Sequence, residues 1–123
     1  MTKTTVVHVN SPEWAQAVKD GTAVYIGRAV PRKGFKASKW ANPFKIDAHS
    51  DRPAQARYDA ILAYNDWLKG QAELVAALPE LREKTLGCWC KPERCHGDLL
   101  KRLADMQDDE LKEWLTKVWP TGE

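Results

Sequence analysis

Short runs of β-branched and apolar residues alternate along this chain with longer segments of helical periodicity. The runs at residues 5–9, 22–27 and 84–90 are typical of strands. After the first run, Asn10 or Ser11 could cap a helix. Strands that alternate with helices predict a small Rossmann-like α/β fold, with three or more strands in a partly parallel sheet flanked by helices.

Apolar residues recur at helical spacing over most of the second half of the chain. A long helix is predicted from Pro53 to Gly70, followed by a shorter one over residues 71–78. Another helix is predicted over residues 95–103. An amphipathic helix at about 108–119 precedes a tail, residues 120–123, that we expect to fray. We expect all 123 residues to form a single domain.

Composition narrows the class of protein. With 43% hydrophobic residues, six of them tryptophan, the chain can bury a real core. A net charge of +2 is too small to predict nucleic-acid binding by itself. Three crowded cysteines argue against a disulfide framework and favour a cytoplasmic setting. The chain lacks an apolar run of transmembrane length and a signal-peptide pattern, so we expect no membrane partner.

All three cysteines and one histidine lie in residues 86–98, which read LGCWCKPERCHGD. One interpretation is a metal site, because zinc accepts a set such as Cys88, Cys90, Cys95 and His96. The spacing is cramped, since adjacent Cys95 and His96 would need an irregular backbone to meet one ion. Cys88 alone is also typical of a buried core thiol.

The second interpretation is an active-site turn between a strand and a helix. Ligands of open α/β sheets bind beyond the carboxyl ends of the strands, and a helix start favours phosphate and activates a nearby thiol. Cys95 is then a candidate nucleophile, with His96 or Asp98 for proton transfer and Lys91 and Gly97 for phosphate. We favour this interpretation, and we expect Cys95 and His96 to lie at a cleft rim outside the core.

Residues 28–45, RAVPRKGFKASKWANPFK, form a second candidate region with six basic residues and no acidic one. Interleaved aromatic and basic residues can stack bases and bind phosphates. Arg28 follows a predicted strand and could bind phosphate in bidentate fashion, with Lys39 adding charge. Trp40 either stacks a base or anchors the loop, and Asn42 serves either the turn or a ligand. In a parallel sheet this loop and the cysteine stretch could share one pocket.

Three motifs, YIGR, WANPF and LGCWCKPERCHGDLL, resemble those of a bacterial and phage family, domain-of-unknown-function family 4326. The resemblance extends from about residue 6 to about residue 103. Ala41 occupies a position where that family usually has glycine. The family name records no activity, so the resemblance supplies no reaction, cofactor or substrate.

These features predict an enzyme directed at a nucleotide or nucleic acid, acting at a base, sugar or phosphate. The reaction type stays unassigned because the sequence shows no complete catalytic constellation. The alternative is a zinc-stabilised module that binds nucleic acid or a host protein. A phage accessory protein with neither metal nor catalysis is the third hypothesis.

Overall fold

A computed structural model of the protein describes residues 3–44, 51–89 and 96–116. Within these ranges three strands, β1 (Thr5–His8), β2 (Ala23–Tyr25) and β3 (Thr85–Cys88), form one sheet. All pairings are parallel and the strand order is β1-β3-β2. The strand that leads into the cysteine stretch is therefore the central one, and the predicted α/β fold with a parallel sheet is confirmed.

Five α-helices accompany the sheet in the described ranges. They are α1 (Pro12–Asp20), α2 (Pro53–Lys69), α3 (Ala72–Ala77), α4 (His96–Ala104) and α5 (Asp108–Thr116). None of these helices combines the length and the apolar character that crossing a membrane would need. The last part of the predicted C-terminal helix and the tail at 120–123 lie outside the described residues.

Local sequence explains where α1 begins and ends. Ser11 is the cap, because its Oγ accepts the backbone N–H of Trp14 at 3.2 Å, and Pro12 suits the first helical position. Gly21 closes the helix in a left-handed conformation, with φ of 74°. Of the two predicted caps, Asn10 and Ser11, the structure thus uses the second.

The helices cover both faces of the sheet. On one face the ring of Trp14 packs directly over Gly87 of β3, so closely that a Cβ at Gly87 would collide with it. The larger core lies on the other face, where buried Leu86 joins Leu68 of α2 and Leu100 of α4. This division follows from the connections. The β1–β2 and β2–β3 crossovers run in opposite directions along the sheet, so right-handed crossovers place their helices on opposite faces.

The strand order also creates a switch point. Neighbouring strands β1 and β3 continue into helices on opposite faces, α1 and α4. Chains that diverge in this way open a crevice beyond the carboxyl ends of the strands. His8 pairs with Cys88 at these ends, so His8 and Trp89, the residue after β3, lie where the two chains diverge.

Replacing Gly87 with alanine tests the packing of α1 on the central strand. The new methyl group would meet the Trp14 ring, and overpacking of this kind should lower the free energy of unfolding by about 1–3 kcal/mol. Gly70→Ala is the matched control, because a Cβ there makes only an ordinary contact at 3.5 Å, and it should change stability by less than about 0.5 kcal/mol. Urea denaturation measures both, and equal stabilities of the two variants would contradict this packing.

Candidate functional site

His96, the first residue of α4, is held inside the molecule by the end of β2. Its Nε2 lies 2.8 Å from the backbone oxygen of Ile26, and the side chain is only 8% exposed. A carbonyl oxygen can only accept a hydrogen bond, so Nε2 must carry the proton. Nδ1 is then the nitrogen suited to accept a proton or bind a metal. The expectation that His96 lies at a cleft rim, outside the core, was wrong.

Tyr64 of α2 extends this buried contact toward residues 28–44, which we call the basic loop. Its ring meets the His96 ring edge-on with centroids 4.9 Å apart, and its hydroxyl donates to the backbone oxygen of Trp40 at 2.8 Å. Burial raises the pKa of Tyr64 far above its usual value, so the hydroxyl remains a neutral donor. We call Ile26, His96, Tyr64 and Trp40 the buried network; it joins the end of β2, the start of α4, the middle of α2 and the loop.

Arg28 and Asn42 close the basic loop on itself. The Nε and Nη2 atoms of Arg28 donate to the backbone oxygen of Asn42 at 3.3 and 3.0 Å. The Asn42 side chain accepts the backbone N–H of Phe44 at 2.8 Å and donates to the Ala60 oxygen at 3.3 Å. Asn42 therefore serves the turn. Arg28 is exposed, and a guanidinium has five N–H donors, so these contacts leave it able to bind an anion.

Trp40 and Lys39 shape the outer part of the loop. Trp40 is 2% exposed and belongs to the core, so it anchors the loop, the second of the two roles left open by the sequence. The Lys39 ammonium lies 5.5 Å from the centroid of the Trp40 ring and 3.4 Å from the carboxylate of Glu80. Lys39 thus neutralises a neighbouring acid and covers the buried indole.

Four aromatic side chains meet at the carboxyl edge of the sheet, and we call them the edge cluster: His8, Tyr25, Phe35 and Trp89. Tyr25 and Phe35 are stacked, with centroids 4.3 Å apart and planes at 28°. Trp89 meets both Phe35 and His8 edge-on at 5.7 Å. All four are half-buried, so the cluster presents aromatic surface at the carboxyl ends of the strands.

A hydrogen-bonded chain fixes the edge cluster in place. The Trp89 indole N–H donates to the Tyr25 hydroxyl at 2.8 Å, and that hydroxyl donates to the backbone oxygen of Arg28 at 2.6 Å. Partial burial raises the pKa of Tyr25, which keeps the hydroxyl protonated. Sequence reasoning did not select Tyr25 or Trp89. The available signals were a tryptophan inside the cysteine motif and a tyrosine at the end of a strand.

The remaining residues predicted near the start of α4 do not share one environment. Gly97 is buried, and Asp98 is half-buried and lines a groove of about 700 Å³ with Arg82 and Lys101. Positions two apart on a helix point about 200° away from each other. His96 and Asp98 therefore face different surroundings, although the sequence predicted that both would lie at one active-site turn.

The other residues predicted for the site belong to the cysteine stretch. Cys90, Lys91 and Cys95 lie outside the described residues. Cys88 is 2% exposed and packs in the core, as predicted for a buried thiol. Over the described ranges, no group of three or more metal-binding side chains comes together. Of the four predicted zinc ligands, Cys88 and His96 are among the described residues, and zinc would meet His96 at Nδ1 because Nε2 is bonded to the Ile26 oxygen.

Replacing His96 with leucine or glutamine tests the buried network. Leucine leaves the Ile26 carbonyl buried without its donor, which should lower the free energy of unfolding by about 1–3 kcal/mol. Glutamine carries an amide N–H that can replace Nε2–H, so it should recover part of that loss. Thermal and urea denaturation measure the difference; a leucine variant as stable as the parent protein would show that the hydrogen bond contributes nothing to the fold.

Comparison with known proteins confirms the family resemblance. The family model described as Domain of unknown function (DUF4326) matches residues 9–106, which include the edge cluster except His8, and the whole buried network. An uncharacterized protein of Acanthamoeba polyphaga mimivirus is 34% identical over 91 residues, a match that covers 65% of this chain and 65% of that relative. No solved structure matches. The chain belongs to the DUF4326 family.

Proposed function

We propose that this domain is an enzyme that acts on a nucleotide or nucleic acid bound at the carboxyl edge of its sheet. The observation that carries the proposal is the edge cluster, a group of half-buried aromatic rings at the switch point of the sheet and beside the basic loop. Crevices at this position are where open α/β sheets bind ligands.

The edge cluster is suited to stack a base. Every nucleobase has a flat π face, and stacking on an aromatic side chain contributes about 1–3 kcal/mol per base. The rings are already fixed by the hydrogen bond from Trp89 to Tyr25 and by the Tyr25–Phe35 stack. Fixed rings lose little conformational entropy when a ligand binds, which favours affinity.

The loop beside the cluster is suited to bind phosphate. Arg28, Arg32, Lys33 and Lys36 are all exposed, and no acidic residue occurs between positions 28 and 44. A stretch with only positive charge attracts a polyanion, and guanidinium groups bind phosphate in bidentate fashion. Arg28 lies three residues past the end of β2, close in the chain to the ring of Tyr25.

His96 supplies the argument for catalysis. The bond to the Ile26 carbonyl places the proton of the neutral ring on Nε2, so Nδ1 is the nitrogen through which His96 would act as a general base. Cys95 precedes it in the chain and keeps its predicted role as a nucleophile. The proposed roles are therefore base stacking by the edge cluster and phosphate binding by the loop. Proton transfer by His96 requires that the substrate reach its buried side chain.

A zinc-stabilised binding module is the second candidate, and one observation favours it. Histidines that ligate metals commonly donate their other ring N–H to a backbone carbonyl, as His96 does to Ile26. Metal analysis of the purified protein separates the two candidates. Stoichiometric zinc, with loss of the fold on chelation, would favour the module, because structural zinc links metal binding to folding.

Substituting Phe35 tests the stacking role. Phe35→Leu keeps an apolar side chain but removes a π face, so it should weaken binding of a fluorescein-labelled single-stranded oligonucleotide by about 5- to 100-fold. Tyr58→Leu is the control, because Tyr58 is an exposed aromatic residue on α2, 45% accessible. Fluorescence anisotropy measures both. Equal effects of the two substitutions, or no binding by the parent protein at low salt, would overturn the proposal.

A charge-matched pair of variants tests the role of the loop. Replacing Lys33 and Lys36 with alanine should weaken oligonucleotide binding and reduce the slope of log K against log salt by up to about 1.4, since fewer counterions are released. Replacing Lys19 and Lys112, exposed on α1 and α5, changes the net charge equally and should leave the slope unchanged. Identical slopes for both double variants would show that the loop does not contact phosphate.

A further inference from the structure

A second pocket lies between α2, α4 and α5, and no residue of the edge cluster lines it. Its volume is about 310 Å³, at the lower end of the range for small-molecule sites. The apolar part of its wall consists of Leu99, Leu103, Met106 and Trp114. A pocket with this lining is suited to a compact apolar molecule.

Asn65 of α2 also lines this pocket, and the nitrogen of its side-chain amide has no hydrogen-bond partner. Its Oδ1 accepts the indole N–H of Trp114 at 2.9 Å, and the side chain is 1% exposed. This bond fixes the amide, because the reversed orientation would place two donors against each other. The Nδ2 atom is therefore a buried donor without a hydrogen bond. Such a group costs about 1–3 kcal/mol unless it meets an acceptor.

The pocket is lined by equal numbers of basic and acidic side chains. Lys69 and Arg102 are opposed by Glu110 and Glu113 among the lining residues. Glu110 is already engaged, since its carboxylate accepts the backbone N–H of Gln107 at the start of α5. A balanced set of charges gives no net attraction for either an anion or a cation, so it favours an uncharged ligand.

We infer that this pocket binds a small, uncharged, largely apolar molecule that carries a carbonyl-type acceptor, and that the Asn65 Nδ2–H donates to that acceptor. The apolar body would pack on Leu103 and Trp114. The flexible side chain of Met106, which is half-buried, can move to admit the ligand. This inference is independent of the edge cluster and of the proposed function.

Two probes of nearly the same shape test the role of the amide. Acetophenone carries a carbonyl oxygen, and α-methylstyrene replaces that oxygen with a methylene group that cannot accept a hydrogen bond. Each is titrated into ¹⁵N-labelled protein, and saturable shifts of the Trp114 indole N–H report binding in the pocket. The measured quantity is the ratio of the two affinities, which cancels effects of shape.

Asn65→Leu should lower the ratio of acetophenone to α-methylstyrene affinity by about 10-fold, because only the ketone loses a hydrogen bond. Leu99→Trp leaves Asn65 intact but fills the pocket, so it should abolish binding of both probes. Far-ultraviolet circular dichroism checks that each variant is folded.

Three results would overturn the inference. One is the absence of saturable shifts up to the solubility limit of the probes. Another is an affinity ratio that Asn65→Leu leaves unchanged, which would show that the amide meets only water. The third is undiminished binding of the probes by Leu99→Trp, which would show that they bind outside this pocket. The Leu99→Trp variant keeps Asn65, so this test remains valid even if Asn65→Leu does not fold.

Discussion

The hydrogen bond between His96 and the Ile26 carbonyl is the contact on which the rest of the site depends. It ties the first residue of α4 to the end of β2, in a region where Tyr64 and Trp40 are also buried. Buried polar groups stabilise a fold only when they are paired. In this network the imidazole and the phenol each donate to a backbone oxygen, so the polar groups that enter the core also fix the loop and the helix.

Two adjacent residues connect this hydrogen bond to the edge cluster. Ile26 bonds to His96 through its backbone oxygen, and Tyr25, the residue before it, bonds to both Trp89 and the Arg28 oxygen. A ligand at this edge would therefore meet rings that hydrogen bonds and stacking hold in place.

Much of the fold follows from the sequence, and the reasons are local. The three strands and the long helix α2 were predictable because β-branched runs and helical periodicity are properties of neighbouring residues. The strand order was not, because the insertion of β3 between β1 and β2 depends on crossovers that span dozens of residues. Arg28 lies three residues past the end of β2, because the strand ends earlier than the sequence predicted. The burial of His96 was not foreseeable, because a polar helix start suggests exposure, whereas the anchoring of the loop by Trp40 was one of two roles that the sequence left open. Asn65 was missed although it interrupts the apolar stripe of α2, a signal that sequence reasoning can use.

The proposed function requires that a nucleotide or nucleic acid bind at the carboxyl edge of the sheet. The most direct measurement is a series of ¹H–¹⁵N correlation spectra recorded while a short oligothymidylate is added at low salt. We expect saturable shifts at the Trp89 indole N–H and at the amides of Gly27 and Arg28, with α5 unaffected. Shifts confined to α5, or none at all in the residues of the edge cluster, would contradict it.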